Sequence, residues 1–163
     1  MNMFSFSVPD ICDEFDDIQI GDLFLKSYGL IDKFYGQVIT AKCEHSNSIV
    51  KEFVEEDGTG KVLIIEHTGI DLCSMVGDQI AQKALDNKWN GIITNGCIRD
   101  VEVIKNIDIG LLAKNSYPMK TDKSKGIGEK NISIKLGSVF INTGDWIYVD
   151  SNGWIISKRK LKL

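Results

Sequence analysis

The chain has 163 residues, 43% of them apolar and 26% charged, with a net charge of −4. That size suits one compact domain over residues 1–163, burying roughly 70% of the unfolded surface, and the apolar content excludes intrinsic disorder. The acidic balance speaks against direct nucleic-acid binding, and no apolar run reaches the ~18 residues of a membrane span. Met1 to Asp10 has neither the basic residues nor the apolar length of a secretory signal. Cys12, Cys43, Cys73 and Cys97 are scattered and form no C-x-x-C pair, which argues against a zinc knuckle or a redox motif. A reducing, cytoplasmic location is expected.

Taken in chain order, Pro9 and Asp10 start a short helix that runs through Phe15. Gly36 to Cys43 alternates and is β-branched, so it predicts a strand. Ile49, Val50, Phe53 and Val54 lie at helical spacing within 46–56, and Asp57-Gly58 ends that helix. Lys61 to Glu66 is a continuous apolar run, as expected of a strand buried on both faces. Gly77 to Lys88 predicts a helix with Ile80, Ala81, Ala84 and Leu85 on one side, and Gly91 to Thr94 a second buried strand. A loop and a short helix over 100–106 follow. Short strands are then expected over 109–113, 132–136, 139–141, 146–149 and 154–157, giving a mixed α/β fold with a β-rich second half.

The strand–helix–strand unit 61–94 requires parallel neighbours and a right-handed crossover. The loops after both strands then leave the same carboxyl edge, where ligands bind in open α/β sheets. One loop delivers Gly77-Asp78 to a helix start, and the other carries Arg99-Asp100, with Arg99 21 positions after Asp78. Of 19 basic residues only Arg99 and Arg159 are arginine, and Arg159 lies in the terminal basic run. Arg99 is thus the one bidentate cation in the body of the chain. Two carboxylates, an arginine and the free amides of Gln79 and Ile80 suit a small anionic substrate and a divalent cation, Mg2+ or Mn2+. The same groups also suit a purely structural role, as helix-terminal residues with an ion pair.

At these residues the sequence resembles the regulator of ribonuclease activity A family, which includes metal-dependent 4-hydroxy-4-methyl-2-oxoglutarate aldolases. The resemblance runs from about Pro9 to Ser157. It rests on Asp10-Ile11-Cys12-Asp13, Gly36-Gln37-Val38-Ile39-Thr40, Gly77-Asp78, and Asn90-Gly91 leading to Gly96-Cys97-Ile98-Arg99-Asp100. Gly126-Ile127-Gly128-Glu129 and Gly144-Asp145 with Asp150 and Gly153 complete it. The resemblance implies a β/β/α fold similar to phosphohistidine swivelling domains, assembled as a ring-shaped homotrimer. It implies that Gly77, Asp78, Gln79 and Ile80 hold a small 2-oxo acid, that Arg99 binds substrate, and that Asp100 holds the metal. The implied reaction is retro-aldol cleavage of 4-hydroxy-4-methyl-2-oxoglutarate into two pyruvates, with oxaloacetate decarboxylation alongside it, since both pass through the pyruvate enolate. The aldol hydroxyl proton needs a base, either Asp78 or a water.

The rival function is regulatory. Members of the family inhibit ribonuclease E, acting on it or on its associated helicases through protein contacts. The acidic stretch Asp10, Asp13, Glu14, Asp16, Asp17 and Asp22 is the surface a basic segment would recognise. The loop Glu66-His67-Thr68-Gly69 replaces an aspartate and glycine run of the regulators, and the chain ends at Leu163 where longer aldolases continue into a helix. His45 and His67 are too few for a histidine metal cluster; His45 is expected in a loop, and His67 in a packed loop or lining the pocket. Trp146 and Trp154 should fill the core or a subunit contact, and the basic run Lys158 to Lys162 should be solvated.

Overall fold

The computed structural model describes residues 5–122, 126 and 128–163, so Met1 to Phe4 and Ile127 of the glycine-rich motif lie outside the described residues. Helix α1 (Val8–Glu14) is capped by the Ser7 hydroxyl, which accepts from the Asp10 amide, and Pro9 sits in its first turn. Strands β1 (Ile18–Ile20), β2 (Lys26–Ser27) and β3 (Phe34–Cys43) lead to α2 (Ser48–Val54) and β4 (Lys61–His67). Next come β5 (Ser74–Val76), α3 (Asp78–Asp86), β6 (Gly91–Thr94), β7 (Cys97–Ile98), α4 (Val101–Ile104), β8 (Gly110–Ala113) and β9 (Asn115–Ser116). The remainder is strand: β10 (Glu129–Lys130), β11 (Ile134–Leu136), β12 (Val139–Ile141), β13 (Trp146–Asp150) and β14 (Gly153–Ser157).

The large sheet runs β1-β14-β13-β3-β4-β6-β8-β2, with β10 also on β3. Its centre, β3-β4-β6-β8, is parallel, as the strand–helix–strand pattern requires. Strand β4 explains why its sequence is continuously apolar. Leu63 and Ile65 enter the core beneath α2 and α3, whereas Val62 and Ile64 enter the core beneath the β11–β12 hairpin. Hairpin, sheet and helices therefore form the expected β/β/α layers. Among the described residues, no helix is long and apolar enough to cross a membrane.

Three differences from the sequence expectations have physical causes. Strands β1, β2, β5, β7, β9 and β10 have two or three residues each, too few to show a period of two. Helix α3 stops at Asp86 rather than Lys88, because Lys88 adopts a left-handed φ of 68°. The basic C-terminal run keeps its cations exposed, as expected, but is anchored through Leu161. Leu161 is buried with Phe6 and Ile11, its amide donates to Tyr148 Oη at 2.9 Å, and Lys158 and Arg159 pair with Asp145 and Asp17.

Candidate functional site

A small parallel sheet builds the site. Strands β5 and β7 pair with Ser74 opposite Cys97 and Val76 opposite Ile98, and β9 extends the sheet beside β7. Both chain segments therefore leave the same end, one as Gly77-Asp78 and the other as Arg99-Asp100. The Arg99 amide donates to the Val76 carbonyl at 3.0 Å, which fixes their spacing. The expected convergence occurs, but two short strands that sequence reading placed in loops produce it.

Asp100 Oδ2 accepts the Asp78 amide at 3.1 Å and lies 3.9 Å from Arg99 Nε. The carboxylate thus caps α3, although Asp100 itself precedes α4, a helix whose start its side chain does not cap. Gly77 permits this approach, since a Cβ there would fall 2.7 Å from Asp100 Oδ2. Asp100 adopts φ 59°, a left-handed conformation that aspartate tolerates better than most residues. The Gln79 and Ile80 amides donate to no group among the described residues, so the start of α3 keeps two free donors. The Ile80 side chain belongs to the core, leaving its amide as its contribution to the site.

These residues line an open cleft of about 690 Å³. The cleft also takes in residues that sequence reasoning missed: Asn47, Lys51, Lys120 and Thr121. Buried Asn47 donates to the Met75 carbonyl at 3.1 Å and accepts from Thr121 Oγ1 at 2.9 Å, tying α2, β5 and the 117–122 segment together. Its only sequence signal is its place before a helix, which capping alone explains. Arg99 Nη1 donates to the Pro118 carbonyl at 3.4 Å, and its side chain stays 40% exposed. Lys51, Arg99 and Lys120 together give the cleft three cations.

The residues present fit a hard divalent cation. Asp100 Oδ1 accepts no hydrogen bond among the described residues, and the side chain is 36% exposed at the cleft. One free carboxylate oxygen with room for water is the usual protein contribution to a magnesium site. Neither histidine is among the residues lining the cleft. His45, half-buried, and His67, buried, meet edge to face at 5.4 Å, with Cys73 beside them. They meet because β3 and β4 end in register, with Cys43 opposite His67. Burial and the facing His45 ring lower the His67 pKa, so it is neutral at pH 7. Burial raises Cys73 and Cys97, and pushes Cys43 up to about 12.

The chain is thus a three-layered α/β protein with an open, cation-lined cleft at a helix start, beside an arginine–aspartate pair. The chain belongs to the Aldolase/RraA family, whose model matches residues 8–156. It is 42% identical over 159 residues to a Pseudomonas aeruginosa (strain LESB58) protein named "Putative 4-hydroxy-4-methyl-2-oxoglutarate aldolase", covering 97% of this chain and 98% of that one. Its fold is similar to a Geobacillus kaustophilus structure described as an S-adenosylmethionine: 2-dimethylmenaquinone methyltransferase, with TM-score 0.92 and 31% identity over 96% of this chain and 97% of that one. It is equally similar to the RNA-processing inhibitor RraA of Thermus thermophilis, with TM-score 0.92 and 27% identity over 96% and 95% of the two chains.

Proposed function

We propose that this protein is a divalent-metal-dependent pyruvate aldolase that cleaves 4-hydroxy-4-methyl-2-oxoglutarate to two pyruvates and decarboxylates oxaloacetate. The observation that carries the reading is the Asp100 carboxylate on the Asp78 amide. It sets a free carboxylate oxygen, the Arg99 guanidinium and the open start of α3 around one cleft. The name of the Pseudomonas relative supports the same reaction.

The Gln79 and Ile80 amides receive the substrate's 1-carboxylate and orient the 2-oxo group, aided by the positive end of α3. Arg99 places fixed positive charge beside the keto oxygen, where negative charge grows as the carbon–carbon bond breaks. Lys51 or Lys120 receives the distal carboxylate of the dicarboxylic acid. Asp78 stands at the cleft to take the aldol hydroxyl proton, directly or through a water. Asp100 holds the divalent cation, which when bound supplies Lewis acidity to the keto acid. Coupled pyruvate release from both substrates, with and without Mg2+, tests the proposal. No magnesium-dependent turnover of either substrate would end it.

Arg99→Lys is expected to lower kcat/KM at least about tenfold, because a point charge cannot replace a planar fork on a carboxylate. Steady-state kinetics on oxaloacetate decide it, and unchanged kcat/KM would remove Arg99 from substrate binding.

The reading includes a ring-shaped homotrimer. Phe24, Ile70, Leu72 and Met119 are large apolar side chains more than half exposed in the single chain, as a subunit contact requires. Light scattering is expected to give about 55 kDa, three times the 18.2 kDa chain. A particle near 18 kDa at micromolar concentration would refute the ring.

Regulation of ribonuclease E through protein contacts is a second reading, favoured by the exposed acids of α1 and the segment after it, Asp10, Asp13, Glu14 and Asp16. Asp17 is engaged with Arg159. Neutralising Asp13, Glu14 and Asp16 should weaken ribonuclease binding and flatten its salt dependence. Unchanged affinity across a salt titration would dismiss this surface.

A further inference from the structure

We infer that His45, His67 and Cys73 form a second metal site, for a four-coordinate borderline-soft cation of the zinc class, distinct from the carboxylate of the cleft. One potential donor atom from each residue lies within 4.8 Å of the other two. Cys73 Sγ and His67 Nε2 are 3.9 Å apart. A tetrahedral zinc ion with nitrogen and sulfur ligands holds its donors about 3.3–3.6 Å apart, so small side-chain rotations close the set. A thiolate and two imidazoles select zinc over magnesium or manganese, which take oxygen ligands. Water fills the fourth position.

Two features of the surroundings fit such a ligand set. The His67 side chain is fully buried, yet its Nδ1 has no hydrogen-bond partner. Asp71 Oδ1 lies 3.8 Å from that nitrogen, and the other Asp71 oxygen is held by Lys114 at 2.6 Å. Metal at Nε2 puts the proton on Nδ1, facing that carboxylate, which is the usual outer-shell arrangement of a ligating histidine. Gly69 presses backbone onto the second imidazole, since a Cβ there would fall 2.4 Å from His45 Nε2. His45 itself is held at a left-handed φ of 58°.

The function of the site is to brace the cleft. Cys73 precedes Ser74 and His45 lies two residues before Asn47, and both Ser74 and Asn47 line the cleft. A cation shared by His45, His67 and Cys73 staples the 67–73 loop to the start of α2, so that β5 and Asn47 keep their spacing.

The test is titration of chelator-stripped, full-length protein with Co2+, followed by displacement with Zn2+. One equivalent of Co2+ is expected to give intense tetrahedral d–d bands and a thiolate-to-cobalt charge-transfer band, both lost on adding Zn2+. Cys73→Ser should remove the charge-transfer band. His45→Ala, at a half-buried loop position that leaves the core intact, should reduce the tetrahedral bands. Asp71→Asn should weaken zinc binding about 10- to 100-fold. Cys97→Ser and Asp100→Asn should leave the band in place. No micromolar cobalt uptake, an oxygen-only octahedral spectrum, or a charge-transfer band that survives Cys73→Ser would overturn the proposal. A band lost in Asp100→Asn would overturn it equally. A cation in the oxygen-lined cleft gives no thiolate band, so the result is independent of whether aldolase turnover is found.

Discussion

Asp100→Asn is expected to lower magnesium-dependent pyruvate release by about 1000-fold or more, equivalent to about 4 kcal/mol at the transition state. The substitution removes the charge a divalent cation needs but little else. Asparagine keeps a carbonyl oxygen that can accept the Asp78 amide, so the cap on α3 survives. It also tolerates the left-handed backbone found at position 100. Gly77 leaves the same space for either side chain. The melting temperature should therefore move little while turnover collapses. A purely structural role for Asp100 predicts the reverse, a shifted melting point with no turnover to lose. Turnover in Asp100→Asn equal to that of the unsubstituted protein would exclude the carboxylate as metal ligand.

Phe34→Ala is expected to cost about 3–5 kcal/mol of stability, a large share of what a chain this size possesses. Phe34 is 1% exposed and sits in the core beneath the β11–β12 hairpin. Its ring lies across two glycines on neighbouring strands. A Cβ at Gly91 would come within 2.4 Å of it, and one at Gly110 within 2.3 Å. No side chain on those residues can move in to fill the void, so the cavity stays. Urea denaturation measures the loss, and a change below about 1 kcal/mol would mean the sheet collapses onto the space. Phe34 begins β3, whereas His45 and His67 lie at the carboxyl ends of β3 and β4, so a variant that remains folded should keep its affinity for Co2+ at His45, His67 and Cys73.

Elements with an unbroken apolar run or a repeated apolar stripe were legible. Strand 61–67 and strand 91–94 are apolar at every central position since both faces of the sheet are covered, and α3 shows its buried stripe at Ile80, Ala81 and Ala84. The docking of the C-terminal run was not legible, because one buried leucine among lysines and an arginine carries no pattern. Nor was the histidine pair. His45 and His67 are far apart in sequence, and only the in-register pairing of β3 with β4 brings their loops together.

The candidate site divides along the same line. By itself the sequence determined which groups are available: a lone arginine beside an aspartate, a Gly-Asp helix start, and the crossover that sends both to one sheet edge. The tertiary structure decided how they meet. The β5–β7 pairing holds Val76 and Arg99 in register, the Asp100 carboxylate caps a helix other than its own, and Asn47 and Lys51 enter from α2. Those contacts are between segments distant in the chain and too short to carry a periodic signal, so their energy comes from packing that no local stretch of sequence encodes.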